Sequence, residues 1–135
     1  MKKVKNIFLL SLLLLAQLPL WAQKADDFRP AADSGDKTAQ FNLGVCYYNG
    51  IGVNQDTKQA VYWFMQAADQ GHPKAQFNLG ACYERGQGTT QNYEQAVYWY
   101  TKAANQGHIK AQLDLGVCYE EGKGITQDYK QAVYW

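Results

Sequence analysis

The chain has 135 residues and a formal net charge of +1, with 13 Lys and Arg interspersed among 12 Asp and Glu. That balance excludes a nucleic-acid groove, which needs clustered cations to neutralise phosphates. The length allows one small domain.

Residues 1–22 form a separate segment. Lys2, Lys3 and Lys5 precede an apolar run from Ile7 to Leu15, which gives way to Leu-Pro-Leu-Trp-Ala22. A basic start, a short apolar core and a small residue at the cut describe a secretory signal peptide, with cleavage expected after Ala22. The run is shorter than the roughly 20 apolar residues of a spanning helix, so no membrane anchor is expected after cleavage. Without the three lysines, ten basic groups face twelve acidic ones, a charge of about −2. Export to the periplasm or beyond the cell follows as an expectation.

Beyond residue 35 one pattern returns every 36 residues. Ala39-Gln-Phe-Asn-Leu-Gly-Val-Cys-Tyr reappears from Ala75 and, slightly changed, from Ala111. Gly50 and Gly52 return at 86, 88, 122 and 124, and Ala60-Val61-Tyr62-Trp63 returns at 96 and 132. A period of this length marks stacked repeats, in which each unit buries its apolar face only against its neighbours. Residues 23–35 align with the end of a unit and read as an N-terminal capping half-repeat. Units follow at 36–71, 72–107 and 108–135, the third incomplete.

Each unit reads as two helices. In the first, Ala39, Leu43, Cys46 and Tyr47 fall at i, i+4, i+7 and i+8 on one face, and Gly50 ends the helix because glycine takes the left-handed conformation freely. Asp56 then N-caps the second helix, with Gln59 three residues later in the capping-box position; Asn92 with Gln95 and Asp128 with Gln131 repeat the arrangement. Ala60, Trp63, Phe64, Ala67 and Ala68 form a second apolar stripe, able to face the first helix of its own unit, and Gly71 and Gly107 stop the second helices. The fold class is all-α, an αα-hairpin solenoid.

The pattern Ala-x-x-x-Leu-Gly-x-x-Tyr-x-x-Gly-x-Gly, then Asp or Asn, then x-x-x-Ala-x-x-Trp-x-x-x-Ala-Ala-x-Gln-Gly, resembles the Sel-1-like repeat, a relative of the tetratricopeptide repeat, across residues 31–135. The resemblance implies a right-handed superhelix that binds another protein or peptide, often as an exported bacterial scaffold. In the cysteine-rich branch of that family a disulfide ties the two helices of a unit. Those places are held here by Ala68 and Ala75 and by Ala104 and Ala111.

Little in the chain suggests chemistry. Cys46, Cys82 and Cys118 are one unit apart, about 10 Å by helix-packing distances and beyond the roughly 7 Å between Cα atoms that a disulfide tolerates, so they are expected as reduced core residues. His72 and His108, also one unit apart, cannot close around one metal and read as turn residues. Ser34-Gly-Asp-Lys37 satisfies the Ser-x-x-Lys pattern of penicillin-recognising enzymes, some of which have been described among cysteine-rich relatives. Its partners Ser-Asp-Asn and Lys-Thr-Gly are missing, and no helix start presents Ser34 as a nucleophile. Gly50-x-Gly52 follows a helix rather than a strand and is no nucleotide loop. The expectation is a non-enzymatic interaction module without cofactor or metal. A β-lactamase-like or penicillin-binding protein and a structural spacer in an envelope assembly are the alternatives.

The candidate partner-binding row lies on the first helices, away from Leu43 and Cys46. Asn42, Val45 and Asn49 correspond to Asn78, Ala81 and Arg85 and to Asp114, Val117 and Glu121. Its third member changes from Asn to Arg to Glu while the core stays constant, which suits recognition along a concave face or, equally, solvent exposure. Tyr48, whose equivalents are Glu84 and Glu120, is read as exposed and as a further contact, since aromatics are favoured at interfaces. At the far end, residues 128–135 lack counterparts of Phe64, Ala67 and Ala68. They are expected to fray, with Trp135 partly exposed, or to be covered by end-to-end association of copies.

Overall fold

Local signals translate directly into helices in the computed structural model, which describes residues 24–135. The expected signal segment lies outside the described residues. Seven helices follow in order among the described residues: α1 (Ala25–Asp33), α2 (Lys37–Asn49), α3 (Thr57–Asp69), α4 (Pro73–Arg85), α5 (Tyr93–Asn105), α6 (Ile109–Glu121) and α7 (Tyr129–Tyr134). Each packs against the next, so α2 with α3, α4 with α5 and α6 with α7 are the hairpins of a solenoid that α1 precedes.

The helix ends follow from particular side chains. Asp56 accepts from the Gln59 N–H at 3.1 Å, Asn92 from the Gln95 N–H at 3.0 Å, and Asp128 from the N–H groups of Lys130 and Gln131. These are the expected N-caps of α3, α5 and α7, but the capping box is not completed: the N–H groups of Asp56, Asn92 and Asp128 donate to the carbonyls of Tyr47, Tyr83 and Tyr119 rather than to Gln59, Gln95 and Gln131. The first helix of each hairpin closes on Gly50, Gly86 or Gly122, with φ of 68°, 64° and 67°. Its start is less conventional. Asp36 caps α2 by accepting from Ala39 N–H, whereas in the next two units the cap is an imidazole: Nδ1 of His72 accepts from Ala75 N–H and Nδ1 of His108 from Ala111 N–H, both at 3.2 Å. His72 stacks on Phe41 with centroids 4.7 Å apart, and His108 on Phe77 at the same distance. The histidines are therefore inter-unit caps as well as turn residues.

The core is concentrated at the junctions between units. Ala25, Ala32, Leu43, Cys46 and Trp63 gather where α1 meets the first hairpin. Phe64, Ala67 and Ala68 of α3 meet Ala75, Leu79 and Cys82 of α4, with Trp99 behind them. Tyr100, Ala103 and Ala104 of α5 meet Ala111, Leu115 and Cys118 of α6. The α3 stripe therefore does not face α2 alone; it is wedged between its own first helix and that of the next unit. The close approach of α2 and α3 needs Gly44, where an added Cβ would lie 2.6 Å from Cδ1 of Phe64, and Gly80 faces Tyr100 in the same way at 2.7 Å. The three cysteines are free and buried, with burial pushing Cys82 and Cys118 up to about 11.

Glutamines stitch the turns between units. Gln40 Nε2 donates to the Ala32 carbonyl, while Gln70 Nε2 donates both to Gln40 Oε1 and to the Gly35 carbonyl. Gln76 with Ala68, and Gln106 with Gln76 and Gly71, repeat the set one unit on. Gln40 and Gln76 are buried, and each amide is satisfied, which is the condition under which buried polar groups are tolerated. At the far end α7 contributes no buried residue, and Trp135 is half-buried against the last core cluster.

Candidate functional site

With the core occupied largely by residues that recur in each unit, several residues that differ between units lie on the outer side of α2, α4 and α6. Asn42, Val45, Asn78, Ala81 and Asp114 are half-buried there, and Asn49, Arg85, Val117 and Glu121 are exposed. The row is thus less detached from the core than its spacing suggests, since Val45 packs against the cluster between the first two units.

Tyr48 departs from its expected exposure. It is half-buried, its ring 6.3 Å from that of Phe64, and its hydroxyl donates to Gln87 Oε1 at 2.7 Å, joining the first unit to the second. Its equivalent Glu84 accepts a 2.7 Å hydrogen bond from the hydroxyl of buried Tyr100. Burial, reinforced by that hydrogen bond, pushes the Tyr100 phenol far above its ordinary value.

Four row residues come together. Tyr48, Asn78, Ala81 and Arg85, with Phe64, Phe77 and Cys82, line a pocket of about 150 Å³ between α2, α3 and α4. A shallower depression of about 500 Å³ continues along α4, sharing Phe77 and Asn78 and reaching Phe41, Lys74, His108 and Lys110. None of the residues lining either space is acidic, and among the described residues the one ion pair is Lys123 with Glu121, at 2.5 Å. Arg85, Lys74 and Lys110 are therefore cations without a carboxylate at salt-bridge distance among those residues. Asn42, Val45, Asn49, Asp114, Val117 and Glu121 stand outside both spaces.

The junction one unit on has a different electrostatic character. Glu84, Asp114 and Glu121 occupy the positions of Tyr48, Asn78 and Arg85. Asp114 is held above its ordinary carboxylate value by burial and then by Glu84, against the opposing pull of Arg85 and Lys110. The surface formed by the first helices of the hairpins, α2, α4 and α6 (the helix-A surface), is thus apolar and basic beside α4 and acidic beyond it.

Spacing arguments overlooked the residues that give this surface its apolar character. Phe41, Phe77 and Leu113 recur one unit apart, immediately before the row residues Asn42, Asn78 and Asp114, and that recurrence was the available signal. Leu113 is 66% exposed and Phe41 and Phe77 are half-buried. Tyr62, Tyr98 and Tyr134 also keep strict register yet are exposed, each ring edge-on to the following tryptophan.

The residues of the Ser-x-x-Lys segment sit at the ends of two helices. Ser34 caps the end of α1, its hydroxyl donating to the Pro30 carbonyl at 2.9 Å, and Lys37 is exposed at the start of α2. No group of three or more His, Cys, Asp or Glu able to hold a metal ion occurs among the described residues. Nor is any described helix long and apolar enough to cross a membrane.

The Sel1 repeat family model matches residues 37–72, 73–108 and 109–135. No curated protein sequence matches significantly. Among solved structures, the chain is similar to a protective antigen of uropathogenic Escherichia coli displaying an SLR fold, with 42% identity and a TM-score of 0.80 over 84% of this chain and 24% of that one. It is also similar to a Sel1 repeat protein from Oxalobacter formigenes, with 38% identity and a TM-score of 0.78 over 82% of this chain and 45% of that one. Helicobacter pylori cysteine rich protein B shares the fold at 22% identity, with a TM-score of 0.61 over 79% of this chain and 76% of that one. The chain thus spans about a quarter and about half of the first two proteins.

Proposed function

The chain belongs to the Sel1 repeat family, and from that premise we propose that it is an exported, non-enzymatic scaffold that binds another protein or peptide on its helix-A face. The observation that carries the reading is the contrast between core leucines that recur unchanged and a face position that varies. Leu43, Leu79 and Leu115 are each 0% exposed, while the row position occupied by Asn49 becomes Arg85 and then Glu121. Repeat scaffolds of this kind hold a rigid frame and vary a surface on it, and the apolar and basic spaces beside α4 offer the shape and charge that recognition requires.

Export rests on residues 1–22. It predicts that the protein recovered from the envelope or the medium begins at Gln23, which mass spectrometry of its N-terminal peptide would read directly. Exposed Tyr129 and Val133 on α7 support a further proposal, association with a second copy through that helix, visible as concentration-dependent sedimentation.

The test of the binding face is a pull-down from the envelope fraction with the wild-type protein and with Arg85→Glu and Glu121→Lys. The reading expects a partner whose capture weakens in at least one charge-reversed variant. A partner retained equally by both would overturn the assignment of the face.

A further inference from the structure

Resting on the reading of this face as a binding surface, we infer that the partner segment is an acidic extended peptide lying along α4, an apolar side chain seated in the pocket beside Phe64 and Phe77. Three observations carry the inference. The pocket and the depression beside it adjoin, because Phe77 and Asn78 line both. Their lining supplies three cations and no acid, in a chain whose charges otherwise nearly balance. The pocket volume of about 150 Å³ suits a leucine- or phenylalanine-sized side chain and is too small for a cofactor.

Geometry sets the spacing. From Lys74 to Arg85 the helix rises 1.5 Å per residue, giving roughly 16 Å along its axis. An extended chain covers about 3.3 Å per residue, so two acidic residues about five positions apart would meet Arg85 and Lys74, with the apolar anchor between them. Because the cations are spread from Lys74 to Arg85 at the two ends of α4 rather than gathered at one point, the segment is an internal one that passes through, rather than a C-terminus held by its carboxylate. Asp114 lies near Arg85 and Lys110 and competes for the same cations, so its removal should favour the acidic peptide.

A bead-displayed library of random twelve-residue peptides, acetylated and amidated, selected against the full chain tests the assignment. The expected consensus is an apolar residue flanked by Asp or Glu about five positions apart. Peptides resynthesised from it should lose about three- to tenfold in affinity on Arg85→Glu and gain on Asp114→Asn, as measured by fluorescence anisotropy. Ala81→Arg, which places a long side chain in the pocket, should abolish enrichment. A library with free C-termini that selects only terminal carboxylates would overturn the internal-segment assignment. Peptides whose binding is blocked by Ala81→Arg but which show no acidic consensus would overturn the inference and leave the binding face standing. No enrichment, or enrichment indifferent to Ala81→Arg, would overturn both.

Discussion

At the first junction between hairpins Phe64 lies against Tyr48, whereas at the second its counterpart Tyr100 donates a hydrogen bond to Glu84, the counterpart of Tyr48. The backbone frame is the same at both places; the side chains have changed as a pair. A buried phenol is tolerated at the second junction because the acid above it accepts its hydrogen bond, and an apolar ring suffices at the first because an aromatic covers it. The pairing couples this one position of the face to the core, whereas the position of Asn49, Arg85 and Glu121 varies over an unchanged Leu43, Leu79 and Leu115.

The largest effects should come from the glycines that bring the helices of each hairpin together. At Gly44 and Gly80 an alanine methyl would meet the ring of Phe64 or Tyr100, each at most 1% exposed and without room to move. Gly44→Ala and Gly80→Ala are expected to destabilise by about 1–3 kcal/mol in chemical denaturation. At Gly116 the nearest contact is the Ala132 carbonyl oxygen at 3.1 Å, so Gly116→Ala should be close to neutral, with helix propensity offsetting the contact. Equal losses at all three positions would show that the aromatic ring is not what requires the glycine.

Next in size is the exchange of chemistry between the two junctions. Glu84→Leu leaves the Tyr100 hydroxyl without its acceptor and should cost about 1–3 kcal/mol. Adding Tyr100→Phe should recover most of that loss, a coupling that a double-mutant cycle would measure. Additive losses would mean that the hydroxyl finds another acceptor and that the pairing carries no energetic coupling.

The imidazole caps predict a pH dependence confined to the second and third units. The cap bond requires neutral Nδ1, and burial holds both histidines below their ordinary value of 6.5, assisted at His72 by Lys37 and Lys74 and at His108 by Lys110. Stability from these caps is complete above 6.5 and falls as the pH drops below it toward the lowered folded values, because the unfolded chain takes up protons first. Thermal melts of His72→Asp, which copies the Asp36 cap of the first unit, should show a weaker loss on acidification below 6.5 than the wild type. An unchanged profile would remove His72 from the account.

The smallest effect is expected at the exposed link between Tyr48 and Gln87. Tyr48→Phe removes one hydrogen bond and keeps the ring over Phe64, so the stability loss should be about 0.5 kcal/mol. A loss several times larger would make this link, rather than the apolar contact, the main tie across the first junction.

Which of these features could be read in advance depended on whether their cause was local. The 36-residue period, the caps at Asp56 and Asn92 and the glycine ends at Gly50 and Gly86 rest on contacts within a few residues, and sequence reasoning found them. Histidine is not a usual N-cap, so His72 gave no such signal beyond its alignment with Asp36. Buried Gln40 and Gln76 gave no signal within their own helices, because their partners come from the end of the preceding helix, at Ala32 and Ala68, and from Gln70 and Gln106 some 30 residues on; their unchanging recurrence was the clue. The pocket was illegible for the same reason. It is assembled from Tyr48, Phe64 and α4 across a junction, and spacing along one helix does not reveal what the neighbouring unit places opposite.

Site-specific photo-cross-linking in the intact cell tests the central claim, that the helix-A face is the binding surface, most directly. A benzophenone amino acid at exposed Arg85 or Val117 should trap a partner protein, while the same probe at Tyr62, exposed on α3, should not. Cross-links from Tyr62 alone, or from none of the three positions, would contradict the account.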